Sequence, residues 1–239
     1  MGAHMASTSR IGPRTETVTI PAGVMLPGDL TIPAGARGVV VFAHGSGSSR
    51  FSPRNQRVAE HLHTGGFATL LFDLLTASEE SLDARTAHLR FDVAMLADRL
   101  VNVTDWLVTQ GETRGLHLGY FGASTGAAAA LTAAAQRPNV IRAVVSRGGR
   151  PDLAGPALTR VIAPTLLIVG GHDTPVIGMN RSALAQLAAR TKQLEIVPGA
   201  THLFEEPGTL DRVCDLALRW FDKYLAATPR RDEDQSEIY

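Results

Sequence analysis

The chain alternates short, continuously apolar runs with helical patterns, and this alternation restricts its fold more than any other feature. Gly38–Ala43, Ala68–Phe72, Leu116–Phe121, Val140–Val145, Thr165–Val169 and Gln193–Val197 are such runs. At this length, without polar alternation, they read as strands buried on both faces. Helical stretches fall between them. One opens at Ser52-Pro53 and runs through His63, with Pro at an early helical position and Gly65-Gly66 as its stop. A long amphipathic helix covers about Phe91–Val108, and Thr125–Gln136 is a helix made almost wholly of Ala. Further helices are predicted near Ser182–Ala189 and over about Leu210–Leu225. Strands joined by such helices must pair in parallel through right-handed crossovers. Thr15–Ile20 and Val24–Ile32 alternate or turn through Pro and Gly instead, as an antiparallel hairpin does. The prediction is an α/β fold with a mostly parallel, doubly wound sheet. Ligands of such sheets bind at the carboxyl ends of the strands.

Composition narrows the class. At 239 residues and 44% hydrophobic content, the chain can bury a large core without disulfides or metal, and global disorder is excluded. Basic and acidic residues number 23 each, so no net charge draws the protein to nucleic acid or an anionic membrane. No apolar run is long enough for a transmembrane helix. Residues 1–14 read as a vector remnant with a flexible N-terminus, 15–227 as a single domain, and 228–239 as a mobile charged tail. With no leader behind the remnant, the expected address is the cytoplasm. Cys214 has no partner for an internal disulfide and sits in an apolar-periodic stretch, as a buried thiol does. Only Lys192 and Lys223 are lysines; the excess of Arg and Ala is the codon signature of a GC-rich bacterial genome.

The chemistry concentrates in Gly122-Ala123-Ser124-Thr125-Gly126, a G-x-S-x-G between a predicted strand and the Ala-rich helix. That context is what a nucleophile elbow requires. A tight turn lifts the serine hydroxyl above the sheet, the glycines remove Cβ atoms that would clash, and the helix N-terminus favours developing negative charge. A serine also needs a base, oriented in turn by an acid. His202, in the loop after the last strand, is the candidate base. Asp173 follows the penultimate strand in LLIVGGHDTPV, where Gly170-Gly171 permits a sharp turn, and is the candidate acid. The order Ser124, Asp173, His202 is that of an α/β-hydrolase triad.

An oxyanion hole needs two aimed N–H groups. The amide of Thr125, next to the nucleophile, is one candidate; the amide of Ser46, in the Gly-rich turn His44-Gly45-Ser46-Gly47, is the other. His44 itself reads as a residue that shapes this turn, and Asp73 as a brace between loops. Arg147 and Arg150, after Val140–Val145, could fork onto a substrate carboxylate or simply pair with a loop residue such as Asp152. His61 and His63 lie two apart on a helix and face different directions, a poor metal pair. No Walker loop, dinucleotide fingerprint or zinc spacing occurs, so neither a cofactor nor a metal is expected.

These pieces (HGSGSS, LLFDLLT, GYFGASTGAAAA, APTLLIVGGHDTPV and VPGATHLFEEPG) resemble the dienelactone-hydrolase-like branch of the α/β-hydrolase superfamily from Val39 to Leu225. The likeness is greatest to bacterial hydrolases sometimes fused to a phosphoribosyltransferase, whose phosphoribosyl-pyrophosphate loop has no counterpart in this sequence. The chain departs from that family at two points. Dienelactone hydrolases use a cysteine nucleophile and a glutamate in the oxyanion loop, where this chain has Ser124 and Gly45.

The resemblance and the residues together imply a cofactor-independent serine hydrolase of small-molecule esters, thioesters or lactones, acting as a monomer or homodimer. Acyl transfer and peptide hydrolysis would use the same groups, and a silent binding module would need none of them. Ser146–Pro164, the place where many such folds insert a cap, is too short for several helices. No large cap domain is expected, and the polar stretch Ala77–Thr86 is too apolar-poor to serve as a lid. A shallow site suited to short acyl groups follows.

Overall fold

A computed structural model describes residues 12–226 of the chain. The expectations for the first residues and for the tail 228–239 lie outside the described residues. Eight strands form one sheet in the order β1-β2-β4-β3-β5-β6-β7-β8. The hairpin β1 (Arg14–Pro21) and β2 (Met25–Ile32) joins antiparallel, and β2 also pairs antiparallel with β4 (Ala68–Phe72). All other pairings are parallel: β3 (Val39–Ala43) lies between β4 and β5 (Leu118–Ala123), followed outward by β6 (Ile141–Arg147), β7 (Thr165–Gly170) and β8 (Lys192–Val197). This is the doubly wound sheet of the α/β-hydrolase fold.

The continuous apolar runs behave as two-faced strands. In β3, Val39, Val41 and Ala43 enter one core while Val40 and Phe42 enter the other. The first core lies under α3 (Val93–Leu107), α4 (Thr125–Gln136) and part of α5 (Thr174–Gln186). The second lies under α1 (Pro53–Thr64) and α6 (Thr209–Tyr224). The Ala content of α4 has a packing reason. From Ala127 to Ala134 its alanines are buried, and small side chains let this helix settle close to the sheet above the central strands. Among the described residues, no helix is long and apolar enough to cross a membrane.

Two segments differ from expectation. Ala77–Thr86, read as a polar stretch, is a helix, α2. Its start is written in capping: the Thr76 side chain accepts from the Glu79 amide while the Glu79 carboxylate accepts from the Thr76 amide. Asp83 is its sole buried residue, so no apolar period announces it. Helix α5 runs from Thr174 to Gln186, opening well before Ser182 with Pro175 in its first turn and continuing through Gly178, and it stops short of Ala189. Between β6 and β7, Pro151–Arg160 forms 3₁₀ turns kinked at Gly155. This segment supplies no helical cap.

Helix α2 is fastened to α3 by charge. The buried Arg99 guanidinium donates to Glu79 at 2.5 and 2.9 Å and to the Leu74 carbonyl at 2.5 Å. The Arg99 hydrogen bonds hold the Glu79 carboxyl at about 2. A depressed carboxylate stabilises the fold above its unfolded range, near 4.3, and loses that contribution as pH falls toward the folded value. Glu79→Gln is therefore expected to cost about 1–2 kcal/mol at pH 7, the modest figure reflecting a carboxylate that keeps some solvent contact. Paired thermal melts should show a gap of several degrees at neutral pH that narrows below about pH 4. Equal melting temperatures at pH 7 would contradict the assignment.

Candidate active site

Strand β5 delivers Ser124 into an elbow before α4. Ser124 has φ 50° and ψ −121°, a conformation an L-residue adopts only when its surroundings enforce it. They do so by crowding. A Cβ on Gly122 would lie 2.5 Å from Ala127 Cα, and one on Gly126 would lie 2.2 Å from the Ala43 carbonyl oxygen. Glycine alone fits at either place. The Ser124 amide donates to the Arg147 carbonyl at 3.2 Å, and the Ser124 carbonyl accepts from Arg150 at 3.0 Å, tying the elbow to the end of β6.

The loops after β7 and β8 are laced together: the Gly171 amide donates to Val197 and that of His172 to Ala200. Gly170 allows the crossing, since a Cβ there would stand 2.5 Å from the carbonyl oxygens of Ala200 and Thr201. The lacing sets His202 Nδ1 2.6 Å from Asp173 Oδ2. Nδ1–H donates to this largely buried carboxylate, which leaves Nε2 as the acceptor. The imidazole lies against Gly148, where a Cβ would be 3.6 Å from His202 Cε1, and Gly148 directly follows the residue that holds the Ser124 amide. Ser124 and the His202–Asp173 pair thus meet at one sheet edge, although Ser124 Oγ makes no hydrogen bond to His202 in this structure.

Thr125 occupies the first turn of α4, where amides have no helical partner. The Ser46 amide is already engaged, donating to Thr125 Oγ1 at 3.0 Å, and the two hydroxyls are also 3.0 Å apart. The amide expected to face an oxyanion is thus directed at the side chain of the residue after Ser124. His44 anchors the same turn. Its Nε2 accepts from the Leu74 amide at 3.0 Å and its Nδ1 lies 3.0 Å from the Gly45 carbonyl, so the ring is the neutral Nδ1–H tautomer. Burial lowers its affinity for a further proton. Asp73 braces the loop as anticipated, accepting from the Arg50 amide at 2.7 Å and pairing with its guanidinium. A cavity of about 20 Å³, lined in part by Ser46, Leu74, Leu96 and Thr125, opens beside the elbow.

The two arginines separate. Arg150 directs its fork at Asp152, at 2.9 and 2.8 Å, which is the loop pairing rather than a free recognition group. Arg147 points to the opposite face of β6 and is buried, with its guanidinium 6.0 Å from the Phe204 ring centroid. Arg54, on the first turn of α1, stands near it; nothing in its polar helical surroundings had singled it out.

The arrangement is that of an α/β-hydrolase, and comparisons with known proteins name the branch. The model of the dienelactone hydrolase family matches residues 26–225, so the chain belongs to that family. A dienelactone hydrolase from Anabaena variabilis is 61% identical, with a TM-score of 0.87 over 89% of this chain and 99% of that one. A Mycobacterium tuberculosis protein named as a candidate phosphoribosyl transferase is 59% identical over 213 residues, which are 89% of this chain and 47% of that protein. The chain thus spans about half the length of this curated relative. An esterase of Pyrococcus furiosus, 16% identical with a TM-score of 0.70 over 90% of this chain and 92% of its own, shares the fold.

Proposed function

We propose that the protein is a serine hydrolase of carboxylic esters, thioesters or lactones. The observation that carries this reading is the His202–Asp173 hydrogen bond, formed at the sheet edge that also presents Ser124 in its strained elbow. His202 Nε2 takes the Ser124 proton as Oγ attacks the carbonyl carbon, and Asp173 stabilises the imidazolium that forms. The oxyanion develops at the start of α4, near the amide of Thr125. The Ser46 amide joins it once the Thr125 hydroxyl turns aside. The imidazolium then protonates the leaving group, and a water deprotonated by His202 releases the acyl group from Ser124. The small cavity beside the elbow and the short 3₁₀ segment Pro151–Arg160 between β6 and β7, in place of a multi-helix cap, favour short acyl chains.

A fluorophosphonate probe should label Ser124. A series of p-nitrophenyl esters should give its highest kcat/KM at about two to four acyl carbons. Absence of labelling would defeat the nucleophile assignment. Faster turnover of a twelve-carbon ester below its micelle threshold would defeat the short-chain reading.

A further inference from the structure

Arg147 is an anomaly for a buried cation. Its residue is 6% exposed, its Nε is sealed from water without a hydrogen-bond partner, and no carboxylate pairs with it among the described residues. Burying a guanidinium in this way is unfavourable unless a counter-charge compensates. The neighbours offer none. Phe204 lies at the outer limit of a cation–π contact. The Cys214 thiol, whose pKa burial pushes up to about 11, is neutral and supplies no negative charge. A second cation, Arg54, whose Nε is also buried and without a partner, acts on it by repulsion. Arg54 reaches Glu205 through Nη1 at 3.2 Å, but that glutamate is 65% exposed and makes no hydrogen bond to Arg147. Burial first, and then the repulsion from Arg54, lower the affinity of Arg147 for its proton to about 10, so it remains a cation at neutral pH.

Two guanidinium groups with unused buried donors, one against Phe204 and the other bonded to the adjacent Glu205, thus have a single exposed carboxylate between them. We infer that Arg147 and Arg54 form a binding site for an oxyanion group, a carboxylate or a phosphate, beneath the loop that carries His202. The planar fork of arginine suits both groups. The position matters for catalysis. Gly148, the residue after Arg147, touches His202, and Phe204 and Glu205 belong to the same loop. An anion carried by the substrate would enter beside the triad, and this form of the inference rests on the serine-hydrolase reading. An anion bound free would order the same loop without it.

Thermal melts and ester kinetics on the full chain test the site. At constant ionic strength, inorganic phosphate or succinate should raise the melting temperature of the wild type saturably, and Arg147→Met should abolish the response. Without anion, this variant should be at least as stable as the wild type, because an unpaired buried charge is replaced by an apolar chain of similar length. In parallel, kcat/KM is measured for mono-p-nitrophenyl glutarate and for p-nitrophenyl butyrate. The wild-type preference for the charged ester should fall roughly ten-fold or more in the variant, as expected for loss of a charge-assisted fork.

Either response, lost on substitution, supports the site. A change in ester preference identifies the substrate as the carrier, and a melting response alone identifies a free anion. Should Arg147→Met fail to fold, Arg54→Gln with the same two readouts replaces it. A wild type that answers neither to anions nor to ester charge, or a variant that keeps both responses, overturns the inference. The melting arm reads anion binding even if no ester is turned over, so its failure is distinct from failure of the hydrolase assignment.

Discussion

Ser124→Ala is expected to remove ester turnover and probe labelling by several orders of magnitude while leaving the fold in place. Loss of a triad serine abolishes the covalent route and leaves only what the oxyanion site and binding supply. The backbone at this position stays at φ 50°, which alanine adopts no more easily than serine, so the strain is unchanged. Melting temperatures of the two proteins should agree within a few degrees. Retention of more than about 1% of activity would mean that another group attacks the carbonyl.

Gly126→Ala should do the converse, damaging fold and activity together. The added Cβ would meet the carbonyl oxygens of Ala43 and His44 at 2.2 and 2.4 Å, and backbone cannot swing away as a flexible side chain can. Either α4 lifts from the sheet or the end of β3 shifts. Overpacking of this kind costs about 3 kcal/mol. For a domain of this size that is a fall of roughly 6–12 °C in melting temperature. Turnover should drop in parallel, since the same movement displaces Ser124 and the turn containing Ser46. A variant that melts like the wild type would show that the elbow is looser than these distances require.

Both predictions concern positions legible in the sequence. The strand runs were readable because burial on both faces leaves no polar interruption. The triad candidates were readable because their chemistry requires particular residues at strand ends in a particular order. What escaped was written in another vocabulary. Helix α2 begins with the Thr76–Glu79 capping box and buries a single carboxylate, so hydropathy carries no trace of it. The contact between the Ser46 amide and the Thr125 hydroxyl joins residues 79 positions apart, and no local pattern encodes which lone pair an amide will find. Arg147 did carry a signal. It shares strand parity with Ala143 and Val145, which face the core under α1 and α6. Period two therefore turned its side chain away from Arg150 and toward Arg54.

The neutral ring of His44 has a bearing on acid inactivation. Protonation would place a hydrogen on Nε2, facing the Leu74 N–H that now donates to it, and two donors cannot share one bond. Because burial lowers the proton affinity of His44, the unfolded chain takes up that proton first, and the folded state loses stability as pH drops below the ordinary histidine range. The turn that carries Ser46 is thereby held by an imidazole that must stay unprotonated. An acid limb in a rate profile would then contain a loosening of this scaffold, which melting curves taken across the same pH range read without reference to turnover.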